Sequence, residues 1–227
     1  MPRFSISRYK AAIFDLDGTL VDSMRVWDTI CRDWLAAKGK VPEDTLEQTL
    51  ADMTLKGAAE YVTGFYGITL PPQRIIKEWE GMVLHQYEHA IPLKDGAAEL
   101  LAHLAAGGVK LGIATSCFPA ACESVLSRHG IRGYFSAVVY SDSVSRSKSF
   151  PDIYLSCAEK LDARPEDCVV FEDLYSALAG IRAAGMGAVA VYDASGDGHW
   201  EAFRQEADYA AASLADLFTD LRLSDSM

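Results

Sequence analysis

Phe14-Asp15-Leu16-Asp17-Gly18-Thr19-Leu20-Val21-Asp22-Ser23 is the stretch on which the reading of this chain turns. Ahead of it, Ala11 to Phe14 is a short apolar run, the pattern of a strand buried on both faces of a parallel sheet. Asp15 and Asp17 then stand where that strand should end. Two carboxylates one residue apart repel each other, so the pair is costly unless a cation or hydrogen-bond donors hold it. Gly18 lets the backbone turn away sharply. Taken alone, Asp17-Gly18 reads equally as a turn closing a strand. The choice is made by residues far downstream.

Working outward, the chain changes character after Leu20. From Asp22 to about Ala90 it is helix-like: Val26, Ile30 and Trp34 step at four-residue spacing, with Gly39, Gly67 and Pro71-Pro72 as punctuation. No β-branched run of strand type interrupts it. Residues 21–91 are therefore read as an all-helical insertion after the first strand, and residues 1–20 with 92–227 as the core domain. Two short connections, Gly18 to Val21 and Ile91 to Lys94, would let the insertion close as a lid.

Beyond Ile91 the pattern alternates. A helix is expected over Gly96 to Ala106, a strand over Val109 to Ala114, a helix from Pro119 to His129 and a strand over Phe135 to Tyr140. A serine-rich loop carrying Lys148 follows, then a helix from Pro151, a strand over Cys168 to Phe171, a helix over Leu174 to Ala184, a fifth strand over Ala188 to Tyr192 and a last helix over Ser213 to Leu221. Repeated strand–helix units imply right-handed crossovers, giving an α/β fold with a Rossmann-like, mainly parallel sheet flanked by helices.

Polar residues fall at one edge of that sheet. Asp15 with Asp17, Thr115 with Ser116, Lys148, and Glu172 with Asp173 each follow a separate expected strand at its carboxyl end, the edge at which open α/β sheets bind ligands. Four carboxylates with a single lysine form a hard-oxygen cluster suited to Mg²⁺ and substrate phosphate oxygens. Lys148 and the Thr115 hydroxyl would add charge and hydrogen-bond donors around a phosphoryl group. The chemistry indicated is phosphoryl transfer.

Composition limits the alternatives. With 227 residues, half of them hydrophobic, the chain can bury a sizeable core. Its formal net charge of −11 and its scattered Lys and Arg argue against nucleic acid or an anionic membrane as partner. The opening Met1 to Lys10 is polar and basic, and no run approaches the ~20 apolar residues of a membrane span. Five cysteines without a Cys-x-x-Cys pair suggest neither a disulfide framework nor a zinc site. The expectation is a cytoplasmic monomer acting on a small phosphorylated metabolite.

In these features the chain resembles the haloacid dehalogenase-like hydrolase superfamily, within it the phosphatases and phosphomutases whose helical cap is inserted after the first strand. Asp15-Leu16-Asp17-Gly18-Thr19-Leu20-Val21 matches the first motif, Thr115-Ser116 the second, Lys148 with Phe150-Pro151-Asp152 the third and Phe171-Glu172-Asp173 the fourth. The resemblance implies that Asp15 attacks phosphorus to form an aspartyl-phosphate and that Asp17 serves as general acid and then general base. It implies further that Asp15, the backbone carbonyl of Asp17, Asp173 and Glu172, directly or through water, hold Mg²⁺, while Thr115, Ser116 and Lys148 hold the phosphate. Dehalogenating members lack an acid at the position of Asp17. Mutases of the β-phosphoglucomutase type carry a histidine in the first cap helix where a gapless reading puts Trp27, so a phosphatase is expected ahead of a mutase or of a non-catalytic binding protein that keeps the fold. The third motif reads Lys148-Ser149 where Lys-Pro is usual.

Other residues read more plainly. Lys56 reads either as a substrate contact, by loose resemblance to the mutases, or as a solvated lysine. His85 and His89 could share a helical face as metal ligands, but no third ligand is apparent and a solvated or packed pair is expected. Trp27, Trp34 and Trp79 are expected in the core of the cap, Asp22 and Ser23 as a helix N-cap, and Cys117 as a structural thiol.

Overall fold

The computed structural model describes residues 6–50, 53–195 and 198–225. Residues 1–5 of the polar opening segment, and 51–52, 196–197 and 226–227 within the expected domain spans, lie outside the described residues. In chain order the elements are β1 (Ala11–Phe14), α1 (Met24–Ala37), α2 (Leu46–Leu50), α3 (Leu55–Phe65), α4 (Pro72–His89), α5 (Ala97–Ala106), β2 (Lys110–Thr115), α6 (Pro119–Arg128), β3 (Phe135–Tyr140), α7 (Asp152–Lys160), β4 (Cys168–Glu172), α8 (Ala177–Ala183), β5 (Gly187–Val191), α9 (Trp200–Glu206), β6 (Tyr209–Ala211) and α10 (Leu214–Asp225).

Every strand pairing is parallel, and the order across the sheet is β3-β2-β1-β4-β5-β6. β1 is central because all four of its residues are apolar and fully buried. Ala12 and Phe14 face a core shared with α5, α6 and α10, while Ala11 and Ile13 face one shared with α7, α8 and α9. Phe14 stacks on Phe171 of β4 with ring centroids 4.2 Å apart; burying a side chain of this size contributes about 1.5–3 kcal/mol. The strand order reverses direction at β1, so the crevice beyond the ends of β1 and β4 is the switch point where doubly wound sheets bind ligands.

Between β1 and α5 come only helices among the described residues. Ile30, Cys31, Trp34 and Leu35 of α1 and Ile75, Trp79, Val83 and Tyr87 of α4 are buried at helical spacing. Pro72 opens α4 at its first turn, where no backbone N–H is required of it. The two connections to this insertion pair with each other: Asp22 N–H donates to Pro92 O and Lys94 N–H to Leu20 O, each at 3.0 Å, and Val21 bridges Leu93. A third attachment was not expected. The end of α4 packs on α6, where Arg128 donates through Nε to Tyr87 O at 3.0 Å and through Nη2 to Ile91 O. Movement of the insertion therefore has to slide α4 along α6 as well as bend the paired connections.

The structure departs from the expected elements in three places. α8 begins at Ala177 rather than Leu174, because Leu174, Tyr175 and Ser176 form a turn whose leucine points outward. α10 continues past Leu221 to Asp225. α9 and the sixth strand β6 were not foreseen: α9 buries only Phe203, and three-residue β6 is too short to show an alternation. None of the described helices is long and apolar enough to cross a membrane.

Candidate active site

The pairing of β1 with β4 continues past Phe14, since Asp15 N–H donates to Phe171 O at 2.9 Å. That register sets Asp15 beside the end of β4. One carboxylate oxygen from each of Asp15, Glu172 and Asp173 lies within 4.8 Å of the other two. Lys148 reaches the same point from the loop before α7, its Nζ 2.5 Å from Asp15 Oδ1 and 2.9 Å from Glu172 Oε2. Tyr154 of α7 donates to the same Glu172 oxygen at 3.4 Å, and Thr19 donates to Asp173 Oδ1 at 3.0 Å. Glu172 Oε1 is buried with no hydrogen-bond partner. An unpartnered buried carboxylate oxygen beside two further carboxylates is the donor set a hard divalent cation takes.

Electrostatics follow from that crowding. Burial, and then the charge of Asp15, push the carboxyls of Glu172 and Asp173 up, the latter to about 7. Burial alone would lower the Lys148 ammonium, but Asp15 and Glu172 outweigh it and hold the group charged. Three carboxyls thus crowd around a single ammonium.

Asp17 stands apart from this cluster. Its Oδ1 accepts from Ser23 Oγ at 2.6 Å and from the hydroxyl of Tyr87. Burial and the nearby Asp15 charge raise its carboxyl, while the hydrogen bonds from Ser23 and Tyr87 oppose the rise. A carboxyl whose proton is held more tightly than usual is better suited to give that proton and take it back. Ser23 does occupy the N-cap position of α1, yet its side chain makes no capping bond; the hydroxyl is spent on Asp17 instead, because the tight turn from Gly18 folds that carboxyl back over the helix start.

Two glycines make the approach possible. Gly18 has φ +76°, and a Cβ there would lie 2.2 Å from Asp173 Oδ2. Gly180 of α8 lies against the Lys148 loop so closely that a Cβ would meet Lys148 O at 2.1 Å and Phe150 O at 2.7 Å. Thr115 is fully buried at the end of β2, its Oγ1 accepting from Cys117 N–H at 2.9 Å, which leaves its own proton to give. Ser116 is exposed beside it.

Several residues singled out in the sequence lie elsewhere. Lys56 is exposed on α3, 3.8 Å from Glu60. His85 and His89 sit on the exposed face of α4 with ring centroids 4.6 Å apart, and Glu88 supplies the third potential ligand that the spacing of the histidines had not suggested. Trp34 and Trp79 are buried against each other among the inserted helices. Trp27 is half-buried and packs against the same core, with its Nε1 donating to Tyr87 at 2.9 Å and its ring leaning on Phe118. Cys117 is buried, and burial together with the Asp17 charge pushes its thiol up, away from a reactive thiolate. Tyr87, Tyr154 and Gly180 were missed, and Thr19 stood in the first motif without a role of its own. A glycine inside the helix-like run of α8 was the one signal available for the first three.

A family model described as haloacid dehalogenase-like hydrolase matches residues 9–185. The bifunctional riboflavin kinase/FMN phosphatase of Arabidopsis thaliana is 32% identical over 180 residues, which is 79% of this chain but 47% of that protein, so the chain spans about half the length of this relative. Fructose-1-phosphate phosphatase YqaB of Escherichia coli (strain K12) is 31% identical over 81% of this chain and 97% of its own length. The β-phosphoglucomutase of Bacillus subtilis (strain 168) is 29% identical over 80% of this chain and 83% of its own. Among solved structures, CbbY from Rhodobacter sphaeroides in complex with phosphate superposes with a TM-score of 0.79 at 25% identity, covering 92% of this chain and 96% of that one.

Proposed function

Because this chain belongs to the haloacid dehalogenase-like hydrolases, we propose that it is a Mg²⁺-dependent phosphatase that hydrolyses a small phosphomonoester, a sugar phosphate or similar metabolite, in the cytoplasm. The observation that carries this reading is the meeting of Asp15, Glu172 and Asp173 at the ends of β1 and β4, with Glu172 Oε1 left unpartnered. Those three side chains and the Asp17 carbonyl would hold the ion. When bound, Mg²⁺ neutralises charge on the phosphoryl oxygens and on the carboxylates around them.

In the first step a carboxylate oxygen of Asp15 forms a bond to phosphorus as the ester P–O bond breaks, and Asp17 gives its proton to the departing alkoxide. In the second, Asp17 takes a proton from water as that water's oxygen attacks phosphorus. The bond from phosphorus to Asp15 breaks, releasing inorganic phosphate and restoring the carboxylate. Lys148, already 2.5 Å from Asp15, and the Thr115 hydroxyl would stabilise the phosphoryl oxygens, with the exposed Ser116 at their edge. Residues 21–91 would form the cap over a core of residues 1–20 and 92–227, with Lys56 as a cap contact. Trp27, committed to Tyr87, occupies the place where mutases carry their histidine, which favours hydrolysis over isomerisation.

The test measures phosphate release from a panel of hexose phosphates with and without Mg²⁺, for the natural protein and for Asp15→Asn. Release should need the metal and fall below detection in a folded Asp15→Asn protein. Near-normal turnover by that variant would end the mechanism.

A further inference from the structure

We propose that Tyr87, held in turn by Trp27, is a positioning residue that fixes which oxygen of Asp17 carries the transferable proton. The inference rests on the acid–base role given to Asp17 above. Tyr87 is fully buried in the last turns of α4, seventy residues from Asp17 in the chain, and its hydroxyl bonds Asp17 Oδ1.

The direction of this chain of hydrogen bonds is set by chemistry. An indole Nε1–H can only donate, so the 2.9 Å contact from Trp27 fills an acceptor site on the Tyr87 oxygen. The phenolic proton must then point elsewhere, and the Asp17 carboxylate is the acceptor there. Ser23 Oγ, 2.6 Å from the same Oδ1, adds a second donor. An oxygen that accepts two hydrogen bonds behaves as the carbonyl oxygen of a carboxylic acid. The exchangeable proton is therefore directed to Oδ2, and the carboxyl is held against the half-turn that would exchange its two oxygens.

Tyr87 belongs to the inserted helices, yet its own carbonyl is tied to the core through Arg128 Nε at 3.0 Å. The phenol is thus located relative to β1 as long as α4 rests on α6. A buried tyrosine that merely filled space would need only some partner for its hydroxyl. Here the hydroxyl is committed on both sides, and its acceptor is the one carboxylate that must exchange protons with substrate.

The experiment compares kcat/KM, which reports events up to transfer of phosphorus to Asp15, for two substrates: the hexose phosphate the protein hydrolyses fastest, and 4-nitrophenyl phosphate. The hexose alkoxide needs a proton as it leaves, and 4-nitrophenolate hardly does. Tyr87→Phe keeps the ring and removes the hydroxyl. It should lower kcat/KM for the hexose phosphate roughly tenfold and for the aryl ester less than about twofold. Trp27→Phe, which removes the donor that orients the phenol, should give a smaller loss of the same kind. Combining Tyr87→Phe with Asp17→Asn should cost nothing beyond Asp17→Asn alone. Equal losses for both substrates, or additive losses in the double variant, would overturn the proposal and leave Tyr87 a packing residue. Turnover by Asp15→Asn would instead overturn the phosphatase mechanism on which it rests.

Discussion

Replacing Lys148 by Met tests the charge balance of the site most directly. The ammonium is 8% exposed and sits 2.5 Å from Asp15 and 2.9 Å from Glu172, themselves 8% and 1% exposed. At an effective dielectric constant of ~20 these attractions are roughly 7 and 6 kcal/mol before any cost of burial is counted. Removing the ions from water costs several kcal/mol each, so the pair as built contributes far less than that sum. Deleting only the cation is different, because the carboxylates stay buried without compensation, and the loss is then about 3–5 kcal/mol. For a chain of this size that corresponds to a fall in Tm of roughly 10 °C. The sign with pH follows from the directions of the shifts. The Lys148 ammonium is raised above its ordinary value, so its contribution is fully present at neutral pH and is lost only in alkali. The carboxyls of Glu172 and Asp173 are also raised, so in Lys148→Met they take up protons as pH falls and the damage shrinks. Denaturant titration of both proteins in a metal chelator should therefore show the full difference at pH 8 and a smaller one at pH 5, with Mg²⁺ restoring part of it at pH 8. Equal stability of the two proteins at pH 8 without metal would refute the reasoning.

The raised Asp173 carboxyl, from the usual 3.8 to about 7, makes a second prediction: the folded chain binds this proton more tightly than the unfolded one. Stability without metal should therefore decline as pH rises from about 4 to about 7, while Mg²⁺ affinity rises over the upper part of that range, both readable by thermal shift. A flat profile in chelator would contradict it. Gly180→Ala places a methyl 2.1 Å from Lys148 O, and backbone must move to relieve it. The expected cost is about 1–3 kcal/mol together with at least a tenfold loss of turnover through displacement of Lys148. Unchanged stability and turnover would show that the contact is not limiting.

The sheet and the position of the site were legible in the residues because both depend on local properties. Ala11–Phe14 and Cys168–Phe171 are apolar runs short enough to be strands, and each is followed by carboxylates. Once strands alternate with helices, right-handed crossovers bring their carboxyl ends to one edge. Asp15, Thr115, Lys148 and Asp173 could thus be assigned to one crevice without coordinates. The third motif was readable although Ser149 replaces the usual proline, since the lysine alone carries the charge. Edge elements were less legible. β6 has three residues of which only Ala211 is buried, and its pairing with β5 supplies the order that its own composition does not.

Tertiary structure alone decided what surrounds Asp17. Nothing local distinguishes Tyr87 from Trp79 or Val83, which share its buried face of α4, and its hydroxyl meets Asp17 only because α4 settles on α6. Ser23 read as a cap because capping is the commonest local use of a serine before a helix; the turn at Gly18 brought a stronger acceptor within 2.6 Å. Gly180 lies unremarked inside a helix-like run, and its purpose is visible only with the Lys148 loop laid across it. Period and spacing along the chain determine which residues can face a common edge. Which side chains then touch depends on how helices far apart in sequence pack, and at hydrogen-bond range a shift of one ångström decides whether a contact exists.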